Sequence, residues 1–260
     1  MVTGASRGIG RETARVLCAE GARVLLVART EAEVVAAADE CVAAGAEVGG
    51  AAESLACDVT DPGAAERIRT AAEDRFAPVD VLVNNAGTAK WRDLDEIPDE
   101  DWYSAWELNV MAPMRLMREL TPGMRERGWG RVVNVSSTAG KRPSASMAEY
   151  SVAKAAELSL SRLYADRCAA DGVLVNAICP GPVKSELWMD EGGLLDQSKE
   201  LAGHDSRERA LEAAGAKRPL GRLAEVEEIA GAIAFLCSEH ASYVSGAAWS
   251  VDGGTVQVII

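Results

Sequence analysis

Tyr150 and Lys154 stand four residues apart in a stretch of helical period, so their polar ends share one face and can meet. Ser137 precedes Tyr150 by thirteen residues and follows an apolar run of strand length, a place from which its hydroxyl can point into the same cleft. A free phenol titrates at about 10, too high for a base at neutral pH, but a neighbouring ammonium favours the phenolate. The three residues therefore suit proton exchange with an alcohol or a carbonyl. In the reductive direction Tyr150 gives the proton, Ser137 hydrogen-bonds the carbonyl oxygen, and Lys154 adds its charge. A tyrosine and a lysine at this spacing are common on solvated helices, so the reading depends on what accompanies them.

Thr3-Gly4-Ala5-Ser6-Arg7-Gly8-Ile9-Gly10 opens a helix with glycines spaced for a dinucleotide pyrophosphate. Gly4 permits a tight turn, Gly8 lets backbone approach phosphate, and Gly10 allows close packing, while the helix N-terminus supplies N–H donors. Asn84-Asn85-Ala86-Gly87 ends a strand at the carboxyl edge of the sheet, where ligands of open α/β folds bind. Asp58, at another strand end in Cys57-Asp58-Val59-Thr60, is placed either to accept from an adenine amino group or to start the next helix. NAD-specific folds carry an acid at the end of the second strand. Here Val27-Ala28 is followed by Arg29 and Thr30, with Arg7 in the glycine loop, and two guanidinium groups can clamp a 2′-phosphate. Glu31 is the nearest acid and fits the first turn of the next helix, so NADP(H) is expected over NAD(H).

These residues need a scaffold. Strand-length apolar runs at Arg23–Ala28 and at residues 54–57, 79–84, 131–135, 173–178 and 247–251 alternate with helical periods at residues 11–20, 31–44, 64–76, 100–120, 150–170 and 225–238. Gly21, Gly45 and Gly172 follow three of these helices as left-handed caps. Such alternation predicts right-handed βαβ units and a doubly wound parallel sheet, a single-domain α/β fold over residues 1–260. Residues 185–221, charged and interrupted by glycine, break the rhythm and are expected to form an irregular substrate lid, with a surface excursion as the alternative. Only Met1 and Val2 are apolar ahead of the glycine turn, so a truncated first strand and a natural start lying upstream are expected.

The chain has 260 residues, 48% hydrophobic and 26% charged, enough to bury a large core and unlike disordered, collagen-like or coiled-coil chains. A net charge of −13 repels nucleic acid and anionic membrane, and no apolar run approaches the roughly 20 residues of a bilayer span. A cytoplasmic protein with neither partner is expected. Six scattered cysteines without a CxxC pair read as reduced, buried thiols, and the isolated His204 and His240 give no metal site.

The glycine loop at residues 3–10, the Asn-Asn-Ala-Gly turn, Ser137 with Tyr150 and Lys154, Pro180-Gly181 after the sixth strand, and the ending Val251-Asp252-Gly253-Gly254 resemble the short-chain dehydrogenases/reductases over essentially the whole chain. The resemblance implies a Rossmann-fold oxidoreductase interconverting a ketone and a secondary alcohol. It implies Asn109 as a fourth catalytic residue beside Ser137, Tyr150 and Lys154, positioning a water that relays protons through Lys154. It implies a cofactor site built from Gly4, Ser6, Arg7, Gly8, Ile9 and Gly10, from Arg29, Thr30, Asp58 and Val59, and from Asn85, Ala86 and Gly87. Tyr150, Lys154 on the nicotinamide ribose, Pro180, Gly181, Val183 and Ser185 complete that site, Ser185 keeping the hydroxyl of the commoner Thr that bonds the carboxamide. The competing readings are a 3-oxoacyl thioester reductase and a catalytically silent nucleotide sensor, which the intact catalytic set disfavours. An extended-branch epimerase or dehydratase would carry a different glycine spacing and a longer C-terminal domain.

Members of the family commonly form dimers or tetramers through the helices that correspond to residues 100–120 and 150–170. Trp102, Trp106, Met114, Met117, Leu158 and Leu163 there exceed a core stripe, so a homodimer or homotetramer is expected. Resembling reductases dock acidic carrier proteins on basic residues at places that here hold Gly128 and Asp171, with Arg127 and Arg131 close by. Leu187, Trp188, Met189, Leu194, Leu195 and Trp91 offer apolar surface to a free ketone, or else form the core of the lid. A small carbonyl or alcohol substrate is expected rather than a carrier-bound one.

Overall fold

The computed structural model describes residues 1–257, and its elements follow the alternation in the sequence. Strand β1 (Val2–Thr3) leads to α1 (Gly8–Ala19), β2 (Arg23–Ala28), α2 (Glu31–Gly45), β3 (Ala51–Ala56), α3 (Ala64–Arg75) and β4 (Val81–Asn84). The second half runs α4 (Asp99–Trp106), α5 (Ala112–Glu126), β5 (Gly130–Val135), α6 (Thr138–Lys141), α7 (Ala148–Cys168) and β6 (Val173–Pro180). Then come α8 (Glu186–Met189), α9 (Leu194–Ala202), α10 (Arg207–Ala216), α11 (Val226–Cys237) and β7 (Ala248–Val251). All strand pairs are parallel, in the order β3-β2-β1-β4-β5-β6-β7. The order reverses between β1 and β4, which opens a crevice at their carboxyl ends.

Strand side chains alternate between faces, and each face feeds its own core. Val24, Leu26 and Ala28 of β2 pack with Ala14 and Cys18 of α1, Val34 and Cys41 of α2, and Ile229, Ile233 and Leu236 of α11. Leu25 and Val27 of the same strand pack on the other face with Ile68 of α3, Leu116, Met117 and Leu120 of α5, and Cys168 of α7. Each such fully buried aliphatic side chain contributes roughly 1.5–3 kcal/mol. The six cysteines are buried free thiols.

The first strand is as short as the sequence suggests, two residues, and Val2 pairs with Leu26 on one side and Val83 on the other. Its neighbours extend the pairing, Val83 N donating to Met1 O at 2.9 Å and Ala5 N to Val27 O at 3.2 Å. The segment 185–221 is helical rather than irregular. Gly192, Gly193 and Gly203 cut it into α8, α9 and α10, pieces too short for periodicity to register. Trp188, Leu194, Leu195, Ala210 and Ala214 from these helices form a small separate core with Ala89 and Leu223. Finally, residues 100–120 are not one helix. A π turn at Glu107–Met111 separates α4 from α5. Asn109 Nδ2 takes the Ala105 carbonyl at 2.8 Å, and Pro113 has no N–H to give the Asn109 carbonyl in α-helical register.

Candidate active site

A cleft of about 1480 Å³ lies over the carboxyl edge of the sheet at the β1/β4 crevice. The glycine loop forms one end. Gly4 and Gly8 adopt φ of +62° and +57°, and a Cβ on Gly10 would stand 2.3 Å from both Gly4 O and Asn85 Nδ2. The backbone therefore lies flush against its neighbours, and only glycine fits. Arg7, the residue before α1, makes no side-chain cap, so the first-turn amides stay available to an anion. Ser6, Ile9 and Gly8 line the cleft with Gly4, whereas Gly10 lies behind the loop and shapes it.

Thr3, which sequence reasoning passed over, ties this loop to β4. Asn85 N and Ala86 N donate to Thr3 Oγ1 at 3.0 and 3.1 Å, and Asn85 Nδ2 donates to Thr3 O and Gly4 O. Asn85 borders the cleft with Ala86 and Gly87, but its side-chain amide is committed to bracing the loop. The signal was a hydroxyl residue immediately before Gly4.

Beyond the glycine loop the cleft is framed by Arg29, Thr30, Asp58 and Val59. Arg29 is exposed and enters no ion pair among the described residues. Arg7 sits 3.6 Å from Asp190 at the end of α8, and Arg11 of α1 binds Glu186 of α8 at 3.1 Å, so two ion pairs join α8 to the glycine loop and the helix it opens. Asp58 Oδ1 accepts from Thr60 N at 2.9 Å and Thr60 Oγ1 at 2.7 Å. Burial works against its ionisation, but those two bonds, with Arg29 nearby, hold the carboxyl below its ordinary value. Glu33, one turn into α2, also faces the cleft beside Arg29.

The other end gathers Ser137, Tyr150 and Lys154. Ser137 caps α6, its Oγ accepting from Ala139 N at 3.1 Å and keeping its own proton to donate. Tyr150 and Lys154 face the cleft one turn apart on α7, Nζ 5.8 Å from the centroid of the phenol ring. Lys154 is buried and donates to Val135 O at 2.8 Å and Glu157 Oε2 at 2.9 Å. Asn109 is buried behind the cleft surface. Its Oδ1 has no hydrogen-bond partner among the described residues, and it lies 3.4 Å from where a Cβ on Gly87 would be, with Lys154 Nζ 3.8 Å from the same point. Pro180 ends β6 and Gly181 packs on Asp252, while Val183 bridges to Ala224. Ser185 precedes α8 with its hydroxyl uncommitted to a cap. Among the described residues no cluster of three or more His, Cys, Asp or Glu is placed to hold a metal, and no helix is long and apolar enough to cross a membrane.

A doubly wound parallel sheet with a glycine loop at its switch point defines a Rossmann-type nucleotide-binding protein. Residues 4–256 match the family model described as enoyl-(acyl carrier protein) reductase. The chain is 34% identical over 258 residues to the 3-oxoacyl-acyl-carrier-protein reductase FabG of Escherichia coli, covering 99% of this chain and 97% of that one. It is 36% identical over 254 residues to the short-chain reductase protein NovJ of Streptomyces niveus, covering 98% and 92%. Among solved structures, L-sorbose reductase from Gluconobacter frateurii with NADPH and L-sorbose superposes with a TM-score of 0.90 at 34% identity, covering 99% and 96%. A variant of actinorhodin polyketide ketoreductase with NADPH gives 0.89 at 34%, covering 98% and 95%. The chain belongs to the short-chain dehydrogenase/reductase family.

Proposed function

We propose that the protein is an NADP(H)-dependent oxidoreductase that interconverts a small ketone and its secondary alcohol, with Ser137, Tyr150, Lys154 and Asn109 as its catalytic set. The observation that carries this reading is the single cleft shared by the glycine loop, Arg29, Ser137, Tyr150 and Lys154. The loop fits a dinucleotide because a Cβ at Gly4, Gly8 or Gly10 would meet neighbouring atoms at 3.3 Å or less. When bound, the nicotinamide supplies hydride to the carbonyl carbon. Ser137 donates a hydrogen bond to the carbonyl oxygen, and Tyr150 gives it the proton. Lys154 holds the ribose, and Asn109 positions the water that reloads the proton through Lys154. Ser185 bonds the carboxamide, and α8 to α10 cover the substrate as a lid.

Arg29 selects the phosphorylated cofactor, since Arg7 is already engaged with Asp190. Losing a charged hydrogen bond to a 2′-phosphate costs about 1.5–3 kcal/mol, so Arg29→Ala should lower the NADPH over NADH preference by about 10-fold or more. An unchanged ratio of kcat/KM for the two cofactors removes Arg29 from this role.

The substrate is a free carbonyl compound rather than a carrier-bound one. Arg131 is buried, stacked on the Trp129 ring, and Arg127 is held by Asp80, which leaves neither as an open docking cation. Asp171 is likewise paired with Arg125. Similarity to FabG keeps the 3-oxoacyl reading as the rival. Kinetics with NADPH on free ketones and on an acetoacetyl carrier protein at low salt decide the matter: an advantage for the carrier substrate overturns the free-carbonyl reading.

The enzyme assembles through α4 and α7 and works in the cytoplasm, where buried free thiols stay reduced. Met117, counted above toward this surface, instead belongs to the core. The exposed side chains are Tyr103 and Trp106, one turn apart on α4, and Val152 and Leu163 on α7. Light scattering should give a dimer or tetramer at micromolar concentration; a monomer contradicts the assembly.

A further inference from the structure

Glu157 lies three residues beyond Lys154 on α7 and is 1% exposed, a carboxylate enclosed beneath the cleft. The reaction described above makes no use of it. Its Oε2 accepts a hydrogen bond from Lys154 Nζ at 2.9 Å, and the same ammonium donates to Val135 O at 2.8 Å. An ammonium has three donors, so these two bonds leave one N–H for the cleft. The backbone of Lys154 is fixed as well. Ser136 Oγ donates to its carbonyl at 3.1 Å, and the absence of a side chain on Gly140 lets α6 close on that carbonyl, since a Cβ there would lie 2.9 Å from it.

We propose that Glu157 is a positioning residue for the reaction: its buried carboxylate seats the Lys154 ammonium, balances its charge, and leaves a single N–H free for ribose or water. The proposal rests on the catalytic role given to Lys154.

The charge balance has a definite sign. Burial alone pushes the Lys154 ammonium down; the Glu157 carboxylate, with Tyr150 behind it, outweighs burial and holds Lys154 above its ordinary value. The other titratable group facing it is Cys179 on β6, whose thiol burial pushes up to about 11. That thiol is uncharged at neutral pH and cannot replace Glu157. Burial pushes the Glu157 carboxyl up as well, against the pull of Lys154. Lys154 serves only while protonated, so losing the carboxylate leaves burial unopposed and the proton departs at lower pH.

Glu157→Gln keeps the shape and a hydrogen-bond acceptor but removes the charge. The alkaline limb of kcat should move to lower pH by about one unit or more, and Glu157→Asp should restore part of the shift. Nitrogen NMR of the Lys154 ammonium in the cofactor-free protein should show the same displacement without catalysis. Glu157→Leu, which removes the carboxylate without placing an amide there, gives the same readings if the Gln variant is unstable, and thermal unfolding reports the fold in each case. A folded, active variant whose kcat limb and Lys154 titration both stay at the wild-type position overturns the inference alone. A fully active Lys154→Met enzyme overturns the catalytic assignment and the inference with it.

Discussion

Tyr150→Phe should leave a folded, cofactor-binding protein that turns over at least about 100-fold more slowly. One oxygen is removed, and the phenol hydroxyl makes no hydrogen bond to another described residue, so no fold contact depends on it. The ring stays in place: it packs beside Met147 against the small core of Trp188 and Leu194, and Phe preserves those contacts. What is lost is the acid. Ser137 can still hydrogen-bond a carbonyl oxygen, but the next proton source is solvent. Turnover at saturating cofactor, with cofactor affinity measured separately, checks this; a rate near wild type removes Tyr150 from its role.

Gly10→Ala should abolish dinucleotide binding and lower stability by about 2–3 kcal/mol. The new methyl would stand 2.3 Å from Gly4 O, a backbone atom, and 2.3 Å from Asn85 Nδ2. Neither can yield cheaply. Gly4 O accepts from Asn85 Nδ2, which also holds Thr3 O, so relief at one atom breaks the tie between the glycine loop and β4. Gly231→Ala is the matched control, because nothing lies within 4 Å of its added Cβ. In α11 it should be neutral or stabilise by up to about 1 kcal/mol. Thermal unfolding of the two variants, with titration of NADPH, separates local collision from a general intolerance of alanine. Retained binding by Gly10→Ala would show that the loop can open without penalty.

The parts of this molecule that were legible in the sequence are those encoded locally. The glycine spacing, the Tyr150–Lys154 repeat and the strand–helix alternation each use a short-range period, and each fell where expected. Glu157 was not legible, because a glutamate in a helix normally faces water and only the packing of α7 against the rest of the fold buries it. Its spacing of three from Lys154 was the available sign. The π turn was written in Asn109 and Pro113 but concealed by a continuous helical period. Helices α8 to α10 were hidden by their brevity, and Met117 was assigned to the surface because composition cannot say which side of a helix meets the sheet. Asn85 was seen, but its work on the loop depends on Thr3, more than eighty residues away.

The brevity of β1 also bears on how the chain comes to be folded. Val2 touches Leu26 on one side and Val83 on the other, so the middle of the sheet joins segments separated by about eighty positions. The entropy of closing that loop must be met before either half of the sheet has a complete edge, and parallel pairing of this separation is slow. Until Val83 arrives, β1 is an open edge on the β3-β2-β1 half of the sheet, the kind of transient edge through which chains associate wrongly. The centre of the sheet, its most buried part at the end, is among the last places that can consolidate, and the catalytic crevice above it cannot exist before then.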